Sequence, residues 1–193
     1  MKVIEVNDLR KEFVSRRRVT KENGKKSLFK REKVVKNAVD GITFSVEEGE
    51  ALAFIGPNGA GKSTTIKMLT GILYPTSGTV KVLGLDPSKQ RVKLSYQIGT
   101  VFGQKEQLWV HLSAYENFKF FAAIYDIKKE ELEKKIEELA TLFEIKEFMH
   151  QPVKSLSLGQ RMKCEMVASL LHNPKMLFFD EPTIGLDPIA KEM

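Results

Sequence analysis

The sequence is short of several things. It holds one cysteine, one tryptophan and three histidines in 193 residues. Cys164 has no partner for an internal disulfide, which fits a reducing compartment, and it reads as a small apolar helix residue. Long apolar runs are missing too: none approaches the roughly 20 residues that a bilayer span requires. The opening stretch, MKVIEVNDLRKEF, alternates like a strand and lacks the apolar core of a signal peptide. Internal repeats and low-complexity linkers are absent.

What remains is globular material, 42% hydrophobic and 29% charged, with enough length for one sizeable core. The net charge of +6 is modest and unevenly placed. Much of the excess lies in RKEFVSRRRVTKENGKKSLFKREKVVK, residues 10–36. Such a run suits nucleic acid or an anionic membrane surface. Little aromatic interleaving accompanies it, only Phe13 and Phe29, so a solvated basic loop is the expectation.

Apolar patterning alternates between strand and helix. Residues 2–13 read as an edge strand, and 36–50 as a strand pair turning near Glu48–Gly49. ALAFIG, residues 51–56, is wholly apolar and predicts a strand buried on both faces. A helix follows, with Ile66, Leu69 and Leu73 at helical spacing, and then strands near 77–87 and 96–103. From Tyr115 to Phe148 helix formers dominate, with Leu132, Ile136, Leu139 and Phe143 on one face. A further helix after residue 157 turns Met162, Met166, Val167, Leu170 and Leu171 inward. KMLFF then predicts a second buried strand, running into Asp180–Glu181–Pro182. This alternation argues for a layered α/β core carrying a helical insertion.

GPNGAGKS, residues 56–63, matches G-x-x-x-x-G-K-[ST] between a strand and a helix. Gly56, Gly59 and Gly61 permit the backbone angles that turn successive N–H groups inward as an anion-binding nest, in a loop that runs through Pro57, Asn58 and Ala60. The helix opening at Lys62–Ser63–Thr64 adds its partial positive charge. Lys62 is then placed to reach terminal phosphates, and the Ser63 hydroxyl to ligate Mg²⁺. Asp180 ends an apolar strand, where a carboxylate is costly unless it meets a cation or donors. With the loop it would hold Mg²⁺ through water. Glu181 beside it is placed to polarise a water for in-line attack.

Together these residues resemble an ATP-binding cassette (ABC) ATPase. GPNGAGKS is similar to its Walker A motif and MLFFDEP to Walker B with the catalytic glutamate. LSLGQ, residues 156–160, resembles the signature motif, Gln104 the Q-loop glutamine and Asp187 the D-loop aspartate. The resemblance implies a P-loop NTPase with a RecA-like core, an N-terminal antiparallel β subdomain and an inserted α-helical subdomain. It implies one nucleotide-binding domain over 1–193, incomplete at its C-terminal end. About 1–110 and 173–193 would be β subdomain plus core, and about 111–172 helical.

The implied cofactors are ATP and Mg²⁺, held by residues 56–64 with Ser63, Gln104 and Asp180 at the metal; Glu181 and Gln104 would be catalytic. The implied partners are a transmembrane permease and a second ABC subunit, expected as a homodimer. In that dimer Ser157, Leu158, Gly159 and Gln160 would complete the partner's site. Residues 101–118 resemble the ATPase subunits of ABC-2 type exporters, peripheral on the cytoplasmic face of the plasma membrane. Trp109 and Leu108 belong either to the permease socket or to the core. No specific nucleic acid partner is expected.

Three departures from the family pattern stand out. Leu158 replaces the usual glycine of the signature. The adenine-stacking aromatic falls by spacing near Lys33, with Phe29 the nearest upstream. No switch histidine follows Glu181, since His111, His150 and His172 all precede it. The strand that normally lies between the Walker A and Walker B strands is also missing, which predicts a truncated chain with weak or no hydrolysis. The alternatives are a soluble ABC ATPase acting on ribosomes or nucleic acid, and a non-hydrolysing remnant. The transported substrate is not legible.

Overall fold

The structure is a computed structural model describing residues 1–20, 26–103 and 106–181. Gln104 and Asp187 lie outside the described residues. The chain divides into two compact units, Met1–Leu94 and Ser95–Met193.

In the first unit, β1 (Lys2–Thr20) and β2 (Lys26–Glu47) form a long antiparallel ribbon. The basic run expected as a loop is therefore the outer part of two paired strands. Its pairing joins residues distant in sequence, such as Arg16 with Lys33, so no local pattern announces it. β3 (Ser77–Val82) adds to the other edge of β1, giving the order β2-β1-β3. Ile4, Val6, Leu9, Val39, Val46, Val80 and Val82 are buried at the base of this sheet. Helix α1 (Lys62–Leu69) packs there through Ile66, Met68 and Leu69, and a short α2 (Arg91–Ser95) follows.

Residues 51–56 correct another expectation. They form no strand, and Ile55 is 95% exposed. Phe54 alone finds an aromatic neighbour, edge-on to Phe44. A strand buried on both faces needs partners along its edges, and among the described residues none pairs with this stretch.

In the second unit, β4 (Ile98–Phe102) and β5 (Met176–Asp180) pair in parallel and in register. Parallel neighbours need a long crossover, here supplied by α3 (Ala114–Ile124), α4 (Lys129–Leu142) and α5 (Leu158–Leu170). The helices enclose a core of Phe118, Leu132, Ile136, Leu139, Ile145, Val153, Val167 and Leu171. Helical spacing along α4 predicts this buried face, and Phe143 packs at its edge. Cys164 is buried in the same core, and burial pushes its thiol up to about 12. β5 is only half covered: Phe178 and Asp180 are buried while Leu177 and Phe179 are exposed. The helices cover one face of this strand pair and, among the described residues, nothing covers the other, which is why the expected double burial is not met.

Candidate nucleotide-binding site

The glycine-rich loop stands on the first unit's sheet. Gly59 and Gly61 adopt φ of 86° and 90°, left-handed angles that side chains resist. Gly61 also lies so close to β2 that a Cβ there would stand 2.3 Å from the Ala38 carbonyl oxygen. The absence of a side chain is what lets α1 begin against that strand. No side chain caps α1, and no acidic residue occupies its first turn. Its positive end is thus open to an anion.

Lys62 folds back across the loop. Its Nζ donates to the Gly56 carbonyl at 2.7 Å and to the Pro57 carbonyl at 3.1 Å. The loop is tightened by the Ala60 N–H on the Pro57 carbonyl, and Thr65 anchors the first turn on the Gly61 carbonyl. Residues 56–60 are exposed, and Lys62, Ser63 and Thr64 half-buried. An ammonium held on the loop carbonyls beside the uncapped end of α1 fits a polyphosphate.

The second unit carries the acidic candidates. Asp180 is buried at the end of β5, where its backbone carbonyl accepts from the Gly103 N–H at 2.9 Å. That bond ties the loop after β4 to the strand bearing Asp180. Glu181 has φ of 52°, a strained setting for a residue with a side chain, at the position expected to carry catalysis.

Ser157 has a role that sequence reasoning missed. It caps α5: its Oγ accepts from the Gln160 N–H at 3.2 Å, while Gln160 Oε1 accepts from the Ser157 N–H at 2.9 Å. The S-x-x-Q spacing was the available signal. Because Oγ acts as acceptor there, its own hydrogen can still be donated outward. Leu158 is exposed and Gly159 half-buried beside it.

The loop between β4 and α3 is held from several sides. Gln107 Nε2 donates to the Thr100 carbonyl, and the Gln107 N–H to buried Glu165 at 3.3 Å. Burial raises the Glu165 pKa above the usual carboxylate range, against the Gln107 N–H and Arg161, which lower it. Arg161 itself pairs with Glu106. Asn117 accepts from the Trp109 N–H at 2.7 Å and donates back to its carbonyl at 3.2 Å. Leu108 belongs to the core, whereas Trp109 is 55% exposed and lies over Phe120, ring centroids 4.4 Å apart. His172 is structural: it stacks on Tyr125 and bonds the Ile98 carbonyl.

A family model described as ABC transporter matches residues 39–184. The chain belongs to the ABC transporter family. Among curated ABC proteins it is 35% identical over 159 residues to the ATP-binding protein NatA of Bacillus subtilis, covering 82% of this chain and 65% of NatA. It is 38% identical over 154 residues to the probable multidrug ATP-binding protein YbhF of Escherichia coli, covering 80% of this chain and 26% of YbhF. It thus spans less than two thirds of either relative. A solved structure of cbiO1 from Clostridium perfringens, part of the ABC transporter complex cbiONQ, superposes with a TM-score of 0.76 at 29% identity, covering 99% of this chain and 70% of that one. The P-loop NTPase fold of ABC ATPase domains is therefore that of this ABC chain.

Proposed function

We propose that the chain is the ATP-binding and ATP-hydrolysing subunit of an ABC exporter. It would work as a dimer beneath a separate membrane permease, on the cytoplasmic face. The observation that carries this reading is the Lys62 ammonium held over the glycine loop at the open end of α1. The relatives' descriptions as transporter ATP-binding proteins support it.

In this reading residues 56–64 wrap the terminal phosphates, and Lys62 exchanges its two carbonyl bonds for phosphate oxygens. Ser63, Gln104 and Asp180 are the residues that would hold Mg²⁺, which would supply charge neutralisation at the phosphates. Mg-ATP supplies the γ-phosphoryl group and its leaving group. The Glu181 carboxylate accepts a hydrogen bond from a water and aligns it for in-line attack. Ser157 donates its hydroxyl hydrogen across the dimer, with Gly159 allowing close backbone approach and Asp187 at the same interface. The exposed Trp109–Phe120 pair suits a permease helix.

Titration with Mg-ATP tests the reading. Lys62→Ala should bind at least about tenfold more weakly, the worth of a charge-assisted hydrogen bond. Unchanged affinity would sink it. Hydrolysis by these 193 residues should be weak, because the apolar stretch leading into the glycine loop is unpaired among the described residues. Strong phosphate release that Glu181→Gln abolishes would contradict this.

A further inference from the structure

Residues 10–36 carry twelve Lys or Arg against three Glu, a net +9 in a chain of net +6, so the remainder is net −3. The resemblance places adenine by spacing near Lys33, but it gives the charge of this run no role. β3 accompanies β1 only as far as Arg10, opposite Ser77. Beyond that the ribbon has two strands, and no other described strand covers it.

Register sorts its residues into two faces, because side chains alternate and directly paired residues share a face. One face carries Phe13, Ser15 and Arg17 opposite Lys36, Val34 and Glu32. The other carries Val14 opposite Val35, Arg16 opposite Lys33, and the register positions of Arg18 and Arg31. From Val14 and Val35 outward to Arg18 and Arg31 this second face has four basic positions and no acidic or aromatic one, and Glu12, opposite Asn37, lies at its base. Val14 and Val35 are 56% and 45% exposed, and Arg16 and Lys33 are exposed as well. No ion pair among the described residues involves Arg16 or Lys33.

We infer that this face of the β1/β2 ribbon docks on an anionic lipid surface, its cations on headgroup phosphates and its valines at the interface. Like charges placed directly opposite each other weaken a ribbon, and a two-stranded ribbon is marginal by itself. A sheet of anionic headgroups relieves that repulsion, and each cation near such a surface contributes attraction. The exposed valine pair has a use at a bilayer interface and none against a phosphate backbone. Single-stranded nucleic acid fits less well, because among residues 14–17 and 32–35 this face offers no aromatic on which a base could stack.

The test is co-sedimentation of the full chain with vesicles, without nucleotide or permease, so failure here leaves the ATPase reading standing. One set of vesicles is phosphatidylcholine alone; the other contains phosphatidylglycerol as well. The chain is expected to pellet with the anionic vesicles only, less so as salt rises. Arg16→Gln with Lys33→Gln should weaken this roughly 30-fold. Val14→Ser with Val35→Ser should weaken it several-fold while leaving the salt response intact. Equal binding to both vesicles, salt-independent binding by the wild-type chain, or an unaffected folded charge variant overturns the inference. So does a chain that binds a duplex DNA oligonucleotide yet stays in the supernatant with anionic vesicles. Should the charge variant fail to fold, the salt response of the wild-type chain decides.

Discussion

Gly61 approaches Ala38 so closely that a Cβ on the glycine would stand 2.3 Å from the carbonyl oxygen. This contact joins the glycine loop to β2, and it involves backbone, which cannot swing aside as a side chain can. Gly61→Ala therefore meets both a left-handed φ and a clash. A loss of about 2 to 3 kcal/mol is expected, seen as a melting temperature lower by roughly 5 to 10 °C. Gly59 has a similar φ but nothing within 4 Å of its would-be Cβ. Gly59→Ala should cost only about 1 kcal/mol. Equal losses at the two positions would mean that the approach to Ala38 is unimportant.

Ser157 separates stability from the proposed contact across the dimer. Ser157→Ala removes the N-cap of α5 and should cost about 1 kcal/mol. Ser157→Asp keeps a capping oxygen beside the Gln160 N–H, so melting should hold. A carboxylate there has no hydrogen to donate and repels phosphate. ATP-driven dimerisation, followed by light scattering with Glu181→Gln in the background, should disappear in Ser157→Asp as it does in Ser157→Ala. Dimerisation that survives Ser157→Asp would remove the serine from the trans site.

Asn117 is buried, and its amide serves both backbone groups of Trp109 as well as the Ser113 carbonyl at 2.9 Å. Asn117→Ala would strand a Trp109 N–H, at a cost of about 1 to 3 kcal/mol. The chain has one tryptophan, so its emission reports this loop alone. The variant should melt lower and show a red-shifted, broader emission as Trp109 leaves Phe120. An unshifted spectrum would show that the ring pair holds the loop without help from Asn117.

The bend of the glycine loop was legible because the motif sets residue types at fixed spacing over eight positions, and Gly59 and Gly61 take the left-handed angles it calls for. The buried face of α4 was legible for the same local reason, since Leu132, Ile136 and Leu139 recur with the helical period. The basic ribbon was not. Arg16 and Lys33 meet only through pairing across the hairpin, and their charges read locally as solvated loop. Residues 51–56 misled for the opposite reason: composition says that Leu52 and Ile55 favour burial, but burial needs neighbours from elsewhere in the chain. Ser157 and Gln160 show a third case, a capping box written by the S-x-x-Q spacing within the same residues that resemble the signature motif.

His172 should make the second unit sensitive to mild acid. Its ring is stacked flat on Tyr125, with centroids 4.0 Å apart, and Nδ1 is buried with no hydrogen-bond partner among the described residues. Burial lowers its pKa below the ordinary 6.5, against the Ile98 carbonyl, which raises it. The folded chain therefore prefers the neutral ring more strongly than the unfolded chain does. The stability this confers is fully present above the unfolded value of about 6.5 and is lost as pH falls towards the lower folded value. Glu165 shifts upward and acts in the opposite sense, favouring the folded state as it takes up its proton. Comparing wild type with His172→Gln cancels that contribution. Chemical denaturation at neutral pH and at about pH 5 should show wild type losing more stability than the variant. If both lose the same amount, the imidazole is not the acid-sensitive group.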